Sequence, residues 1–343
     1  MTATLAGCTT FGIGGAARSI VDAPTKPDLI DAVRAADEAG DPLFVLSGGS
    51  NVLVADDGFP GTVVRVASRG VDIMRDGEVV VAVAAAGEPV DSLVAQSVEN
   101  GWQGIEALSG IPGLVGAAPV QNIGAYGAEI ASVVRSVGVW DRRDQIRRAL
   151  SPEQCGFSYR DSVLKSSRAP AQPTGRYVVI DVMLQLCDAP LSAPIQYPEL
   201  AAVLGIAPGQ QVPLADVRQA VLYLRREKGM VYDADDPDTH GAGSFFTNPV
   251  VAAGDVPTGA PAYPQPDGRV KTSAAWLIEH AGFPKGYGAG PARVSSKHAL
   301  ALTNQGGATA ADVIALAREI ANGVRARYGI ELQPEPVLVG LTI

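Results

Sequence analysis

The run Ser109-Gly110-Ile111-Pro112-Gly113-Leu114-Val115-Gly116-Ala117-Ala118-Pro119-Val120-Gln121-Asn122-Ile123-Gly124-Ala125-Tyr126-Gly127 decides how this sequence is read. With its flanks, residues 107–128, it is uncharged and long enough to span a bilayer, yet Pro112, Pro119 and the glycines at 110, 113, 116, 124 and 127 break any helix through it. A flat, extended ligand lying against backbone would require such bareness, because each missing Cβ admits closer approach and each free amide can donate a hydrogen bond. Tight packing of backbone on backbone is the alternative, and it needs fewer glycines. The run therefore favours a large planar cofactor.

Upstream, Pro27 to Ala39 carries Leu29, Ile30, Val33 and Ala36 at helical spacing and stops at Gly40. Leu43 to Leu46 is a short apolar strand leading straight into Ser47-Gly48-Gly49-Ser50-Asn51. Amides on such a turn can form a nest for a phosphate or diphosphate, and a plain strand exit is the other reading. Strands are expected at Val63 to Val66 and Val79 to Ala84, and a helix from Pro89 to Glu99 closed by Asn100-Gly101. Gly12-Ile13-Gly14-Gly15-Ala16-Ala17 fits the dinucleotide fingerprint in spacing alone. Thr9-Thr10-Phe11 is too short for the strand that must precede it, and Pro24 comes too soon for the helix that must follow.

Downstream, Val133 to Trp140 and Tyr177 to Leu186 read as strands, the second alternating Val178, Ile180, Val182, Leu184 and Leu186 on one face. Prolines thin out regular structure between Pro190 and Pro198, where a domain boundary is expected. Helices follow at Leu214 to Arg226, Trp276 to Ala281 and Ala311 to Tyr328, the last with Thr309 as N-cap and Gly329 as stop. The Pro/Gly-rich stretch 256–268 is expected to be a surface loop.

Three polar clusters lie in this half. Phe157-Ser158-Tyr159-Arg160-Asp161-Ser162 sets a guanidinium beside an aromatic ring and a carboxylate, which suits recognition of a substrate carboxylate or a simple surface ion pair. Gly241-Ala242-Gly243-Ser244-Phe245-Phe246-Thr247-Asn248-Pro249 exposes a serine, but not in the elbow of an α/β-hydrolase, and His240, His280 and His298 show no arrangement that makes one its base. Asp233, Asp235, Asp236 and Asp238 lack the sixth-position glycine of a calcium loop and read as a solvated turn; no metal is expected.

Composition narrows the class. The 343 residues are 47% hydrophobic and 18% charged, enough for two or three packed units. A net charge of −9 argues against a nucleic-acid partner. Cys8, Cys155 and Cys187 are too few and too dispersed for a disulfide framework or a thiolate zinc site, and residues 1–7 carry no basic and apolar leader, so a reducing cytoplasm is expected.

Thr10-Phe11-Gly12-Ile13-Gly14-Gly15, Ser47 to Leu53, Gly110 to Gly127, Tyr159-Arg160-Asp161-Ser162, Gly243 to Pro249 and Leu332 to Gly340 occur in one order. In that order, and over nearly its whole length, the chain resembles the UDP-N-acetylenolpyruvoylglucosamine reductases, flavoenzymes of peptidoglycan precursor synthesis. The resemblance implies an α+β chain with the vanillyl-alcohol-oxidase type of FAD-binding fold. FAD-binding subdomains would span 1–70 and 71–190, and a C-terminal α+β substrate domain 191–343.

It further implies that Gly48, Gly49, Ser50 and Asn51 hold the FAD diphosphate. The cofactor would be lined by Ile111, Pro112, Gly113, Gly116, Ala117, Gln121, Asn122, Ile123, Gly124, Ala125 and Tyr126. Ser47 stands where the family usually has glycine, which would strain it if the position needs positive φ. Catalysis would fall to Arg160, Ser244 and Glu335. NADPH reduces FAD and is replaced by the nucleotide sugar; hydride then passes from flavin N5 to C3 of the enolpyruvyl group. Arg160 would meet the charge developing on the carboxylate, Ser244 would protonate C2, and Glu335 would bind the carboxylate if protonated or orient Arg160 or a water if ionised.

Tyr197, Lys228 and Asn248 are the implied substrate contacts. Tyr197 matches the mobile-loop tyrosine of the longer family type; Lys228 is the candidate for the substrate diphosphate, and Asn248 contacts substrate or fixes its loop. No histidine precedes His240, and Cys8 and Cys155 lie outside the flavin-lining runs, so FAD is expected to be non-covalent. A monomer acting on a small molecule, with no nucleic-acid or membrane partner, is the family default. The competing reading is another FAD oxidoreductase of the same fold, such as an oxidase of an alcohol or sugar.

Overall fold

The computed structural model describes residues 4–169 and 172–343. Contacts divide the chain into two compact units: Ala17–Gly48 with Pro60–Glu227, and Met1–Ala16 with Gly49–Phe59 and Lys228–Ile343. The expected boundaries at 70 and 190 are not where the contacts divide. The segment Gly49–Phe59 leaves the unit that flanks it in sequence, because its strand Val52–Val54 pairs in parallel with Val337–Val339. The Asp56 carboxylate also accepts the amides of Ala310 and Ala311, at 2.8 and 3.1 Å.

The larger unit is built on two sheets. In one, Leu43–Leu46 runs parallel to Phe59–Val66, with Ala17–Ala23 on the other side. Helix α1 (Lys26–Glu38) is capped by Thr25, whose hydroxyl accepts from the Asp28 amide, and buries Leu29, Ile30, Val33 and Ala36 as its spacing predicts. The second sheet is antiparallel, in the order Ile146–Leu150, Val134–Asp141, Tyr177–Asp188, Val79–Ala85, Val71–Asp76, with Trp102–Gln103 paired to the end of Tyr177–Asp188. Val178, Ile180, Val182, Leu184 and Leu186 are all buried on the central strand, as their alternation predicts. Helix α2 (Val90–Glu99) matches the expected span, and α3 (Pro198–Leu204) and α4 (Leu214–Glu227) form a helical hairpin with its own small core.

The smaller unit centres on α5 (Ala274–His280) and α6 (Ala310–Tyr328), packed with Phe11, Leu53, Phe245, Phe246 and Leu302. Helix α6 carries a reciprocal cap between Thr309 and Asp312 and ends at Gly329, φ 69°. The stretch 256–268 is not only loop: Ala262–Pro264 forms a strand on Val270–Thr272. Pro264 is tolerated there because the strand lies at the sheet's edge. Among the described residues no helix is long and apolar enough to cross a membrane. Residues 12–17 follow a short 3-10 helix and enter the strand Ala17–Ala23, so the dinucleotide reading fails on both sides.

Candidate active site

In the larger unit the glycine-rich run folds as a chain of tight turns, and several of its glycines answer to the protein itself. A Cβ on Gly116 would lie 2.6 Å from Ala86 Cβ and one on Gly124 2.8 Å from Ala128 O, while Gly113 Cα lies 2.7 Å from where a Cβ on Gly48, outside the run, would stand. The Gly116 amide donates to Ala86 O at 2.8 Å. Backbone packing thus explains part of the bareness that had pointed to a ligand. Gly124–Ala125 and Ala128–Glu129 make a hairpin whose two turn residues, Tyr126 (φ 49°) and Gly127 (φ 88°), both adopt the left-handed conformation of a type I′ turn.

Asn122 is fully buried and spends its side chain on protein. Nδ2 donates to Glu129 Oε2 (2.9 Å) and Ser158 O (3.1 Å), while Oδ1 accepts from the Ala131 amide. What the side chain does here is hold the shape of the run. Arg160 stands at the third position of the tight turn Ser158 to Asp161 with φ 56°, a place that favours glycine. Its guanidinium donates to Asn122 O at 3.3 Å and Gly124 O at 3.0 Å, so Arg160 is tied to the run itself. Lys165 Nζ holds the Arg160 carbonyl at 2.7 Å, and Ser162 Oγ donates to Val120 O at 2.6 Å. The Tyr126 ring meets the Tyr197 ring edge-on at 5.5 Å. Burial pushes the Tyr126 phenol up to about 12, against the pull of Arg225, so it stays a neutral donor at physiological pH.

In the smaller unit Ser244 sits on a segment anchored by the buried Phe245 and Phe246. That segment runs alongside the one bearing Glu335: the Glu335 amide donates to Phe245 O (2.9 Å), and Thr247 N donates to Gln333 O (3.0 Å). Asn51 joins them, its side-chain amide reaching Glu335 O at 3.5 Å and its carbonyl accepting from Val337 N at 2.9 Å. Thr10 supplies a further link, with its amide on Gly49 O (3.1 Å) and its hydroxyl on Gly241 O (2.5 Å). Residues 49–51 and the loop bearing Ser244 are thereby laced into one construction. Asn248 Oδ1 accepts from the Ala274 amide at 2.9 Å, which fixes the loop to the start of α5. Lys228 opens this unit directly after α4.

The turn at 47–51 fits a diphosphate. Ser47 Oγ is buried and has no protein partner, Gly48 is exposed, and Gly49 takes φ 65° where a Cβ would lie 1.8 Å from Cys8 O. Ser47 itself is not in the left-handed region, so the replacement of glycine there carries no backbone strain. The acidic turn is used internally, with Lys297 paired to Asp236 and Ser296 donating to Asp238, and among the described residues no cluster could hold a metal ion.

Residues 236–339 match the family model of the UDP-N-acetylenolpyruvoylglucosamine reductase C-terminal domain, and residues 17–149 match that of an FAD binding domain. The UDP-N-acetylenolpyruvoylglucosamine reductase of Thermobifida fusca is 52% identical over 353 residues, 99% of this chain and 97% of that protein. The chain belongs to the UDP-N-acetylenolpyruvoylglucosamine reductase family. The same reductase from Cutibacterium acnes is 51% identical, covering 99% of this chain and 90% of that one. The crystal structure of the reductase from Thermus caldophilus aligns with a TM-score of 0.65 at 26% identity over 98% of each chain. The FAD-binding α+β fold and the FAD-dependent oxidoreductase class expected from the reductase resemblance hold for this chain.

Two residues that the sequence reading passed over also bear on the site. Asp91, on α2, accepts the Gly110 amide at 2.6 Å, and Arg218, on α4, grips the same carboxylate. Nothing in their local sequence marks them, since an acid in a first helical turn and an arginine in an amphipathic helix are ordinary surface residues.

Proposed function

We propose that this chain reduces UDP-N-acetylenolpyruvoylglucosamine to UDP-N-acetylmuramate, with non-covalent FAD and with NADPH as reductant, in peptidoglycan precursor synthesis. Family membership supports the reaction. The structural observation that carries it is the lacing of Ser244, Glu335 and Asn51 by backbone and side-chain hydrogen bonds into one framework.

FAD, when bound, supplies the hydride delivered to C3 of the enolpyruvyl group. Gly48, Gly49, Ser50 and Asn51 would hold its diphosphate, with the buried, unpartnered Ser47 hydroxyl beside them. The run Ile111 to Tyr126 would line the cofactor. As C3 gains hydride, negative charge builds on the substrate carboxylate, and the Arg160 guanidinium offsets it with a planar pair of donors. The carbanion-like C2 is basic enough to take a proton from the Ser244 hydroxyl without any depression of that hydroxyl's pKa. Glu335 orients the carboxylate end of the substrate, Tyr197 covers the nucleotide, Lys228 faces its diphosphate, and Asn248 keeps the Ser244 loop in place.

At the level of function, FAD binding belongs to 1–190 and sugar binding to 191–343. Family membership is what supports placing the reaction in the cytoplasm and taking the working unit to be a monomer. The test is anaerobic stopped-flow absorbance, first with NADPH and then with the enolpyruvyl nucleotide sugar. Bleaching of a flavin band that returns only with the sugar supports the proposal. A reduced flavin that ignores the sugar and reoxidises in air would refute it in favour of an oxidase.

A further inference from the structure

The α3–α4 hairpin forms a small packing cluster of its own. Its core is seven buried residues, Ile195, Leu200, Ala201, Val217, Ala220, Val221 and Leu224, and it carries Tyr197 at the start of α3. Its stem is bonded at Ala189 to Gly101 O (2.8 Å) and at Leu191 O to the Gln103 side chain (2.9 Å). Beyond the stem, α4 packs against residues 106–108 and against α2, the rings of Tyr126 and Tyr197 meet, and the Asp91 carboxylate joins Arg218. Asp91 Oδ1 accepts both Arg218 Nη1 (2.6 Å) and the Gly110 amide (2.6 Å), while Oδ2 accepts Arg218 Nη2 (3.0 Å). Pro89, not Asp91, is the N-cap of α2, so this carboxylate is turned away from its own helix toward two other elements.

We infer that Asp91 and Arg218 are positioning residues that fix the Tyr197-bearing hairpin against the Gly110 amide, at the start of the glycine-rich run. The inference rests on the proposed reading, in which that run holds FAD and Tyr197 covers the nucleotide sugar. One carboxylate serving both partners makes the placement of the cover and the start of the cofactor wall a single geometric choice. A bidentate guanidinium fixes direction as well as distance, which a lysine could not do. Burial opposes ionisation of Asp91, yet the Arg218 fork and the Gly110 amide outweigh it and hold its pKa below the ordinary carboxylate value. Arg225, two turns along α4, adds attraction toward Asp91.

Arg218→Met keeps the apolar stem and removes the fork. In the holoenzyme, amide hydrogen exchange across 214–227 should quicken about tenfold while the strand Tyr177–Asp188 keeps its protection. The KM for the enolpyruvyl nucleotide sugar should rise about tenfold with kcat within about twofold. Arg218→Lys should recover part of both effects. Asp91→Asn should in addition shift the bound-flavin absorbance, because Gly110 loses its charged acceptor. Unchanged exchange and KM in Arg218→Met would overturn the inference, as would loss of protection throughout the unit with kcat and KM worsening together. Exchange is read without turnover. A wild-type protein that never reduces the sugar therefore sinks the functional reading alone, and unaltered exchange in Arg218→Met sinks the positioning role alone.

Discussion

Gly49→Ala puts the diphosphate loop to its hardest test. At φ 65° an alanine is in the left-handed region, which costs about 1 kcal/mol for an L side chain. Its Cβ would lie 1.8 Å from Cys8 O and 2.8 Å from the carbon behind it. The obstacle is backbone, so no side chain can swing clear, and the loop or the turn at Cys8 must retreat by about 1.6 Å to restore ordinary contact. That retreat also opens the Thr10 amide's bond to Gly49 O. Strain and overpacking together come to about 3 kcal/mol. If residues 48–51 hold the FAD diphosphate, the movement falls on the cofactor, and FAD affinity should drop on the order of 100-fold.

Gly48→Ala is the internal comparison. Gly48 is not left-handed and its added Cβ would meet Gly113 Cα at 2.7 Å, so a smaller retreat suffices and the loss should be nearer tenfold. FAD titration of the apoprotein by flavin fluorescence, with apoprotein melting measured alongside, reads both. A Gly49→Ala protein that binds FAD within about threefold of wild type would refute the assignment of this loop to the diphosphate.

Ser244→Ala should leave flavin reduction by NADPH nearly intact and slow reoxidation by the nucleotide sugar about a thousandfold, measured by double-mixing stopped flow; equal loss in both steps would make Ser244 structural. Arg160→Lys keeps charge but cannot span Asn122 O and Gly124 O together, so reoxidation should fall about 100-fold, and a full rate would show the fork to be dispensable. Boiling should release all flavin to the supernatant, and a yellow precipitate would contradict non-covalent binding. Asp141 is fully buried, and the Arg176 guanidinium, joined by Arg148 and the Asp144 amide, holds its carboxyl far below the usual range. Its folded pKa is depressed, so its stabilisation is present above the unfolded value near pH 4 and is lost as pH falls below it. Asp141→Asn should therefore cost about 2 kcal/mol in urea unfolding at neutral pH, with the gap to wild type closing under strong acid; a gap that persists there would contradict the linkage.

What could be read from the sequence was whatever is local. The spans of α1, α2, α4 and α6, their caps and stops, and the alternation on Tyr177–Asp188 follow from periodicities of 3.6 and 2. Long-range pairing left no such mark. Val52–Val54 looks like the continuation of the strand before it, and only its parallel partner at Val337–Val339 and the hold of Asp56 on α6 assign it to the other unit. The strand Ala17–Ala23 buries only its two end residues and so shows no alternation to detect. The glycine-rich run was legible as unusual but not in its cause, because close packing at Gly116 and Gly124 produces the same composition as a ligand wall. Asp91 and Arg218 are 127 residues apart, and only the fold makes them a pair.

The positions where local rules are broken point most directly at the site. Among the described residues four that are not glycine have positive φ, and three of them, Asn122, Tyr126 and Arg160, lie in the glycine-rich run or in the turn bonded to it. Glycine would relieve each at a gain of about 1 kcal/mol, so the side chains are kept against a steady local bias. Their uses are connected. Arg160 donates to the carbonyl of Asn122 and to that of Gly124, two residues before Tyr126; Asn122 in turn holds Ser158 at the start of Arg160's own turn; and Tyr126 seats Tyr197. Relaxing any one of the three frees a backbone segment that another depends on. A network of this kind gives a guanidinium one fixed direction before any substrate arrives, which is what the charge-stabilising role proposed for Arg160 demands.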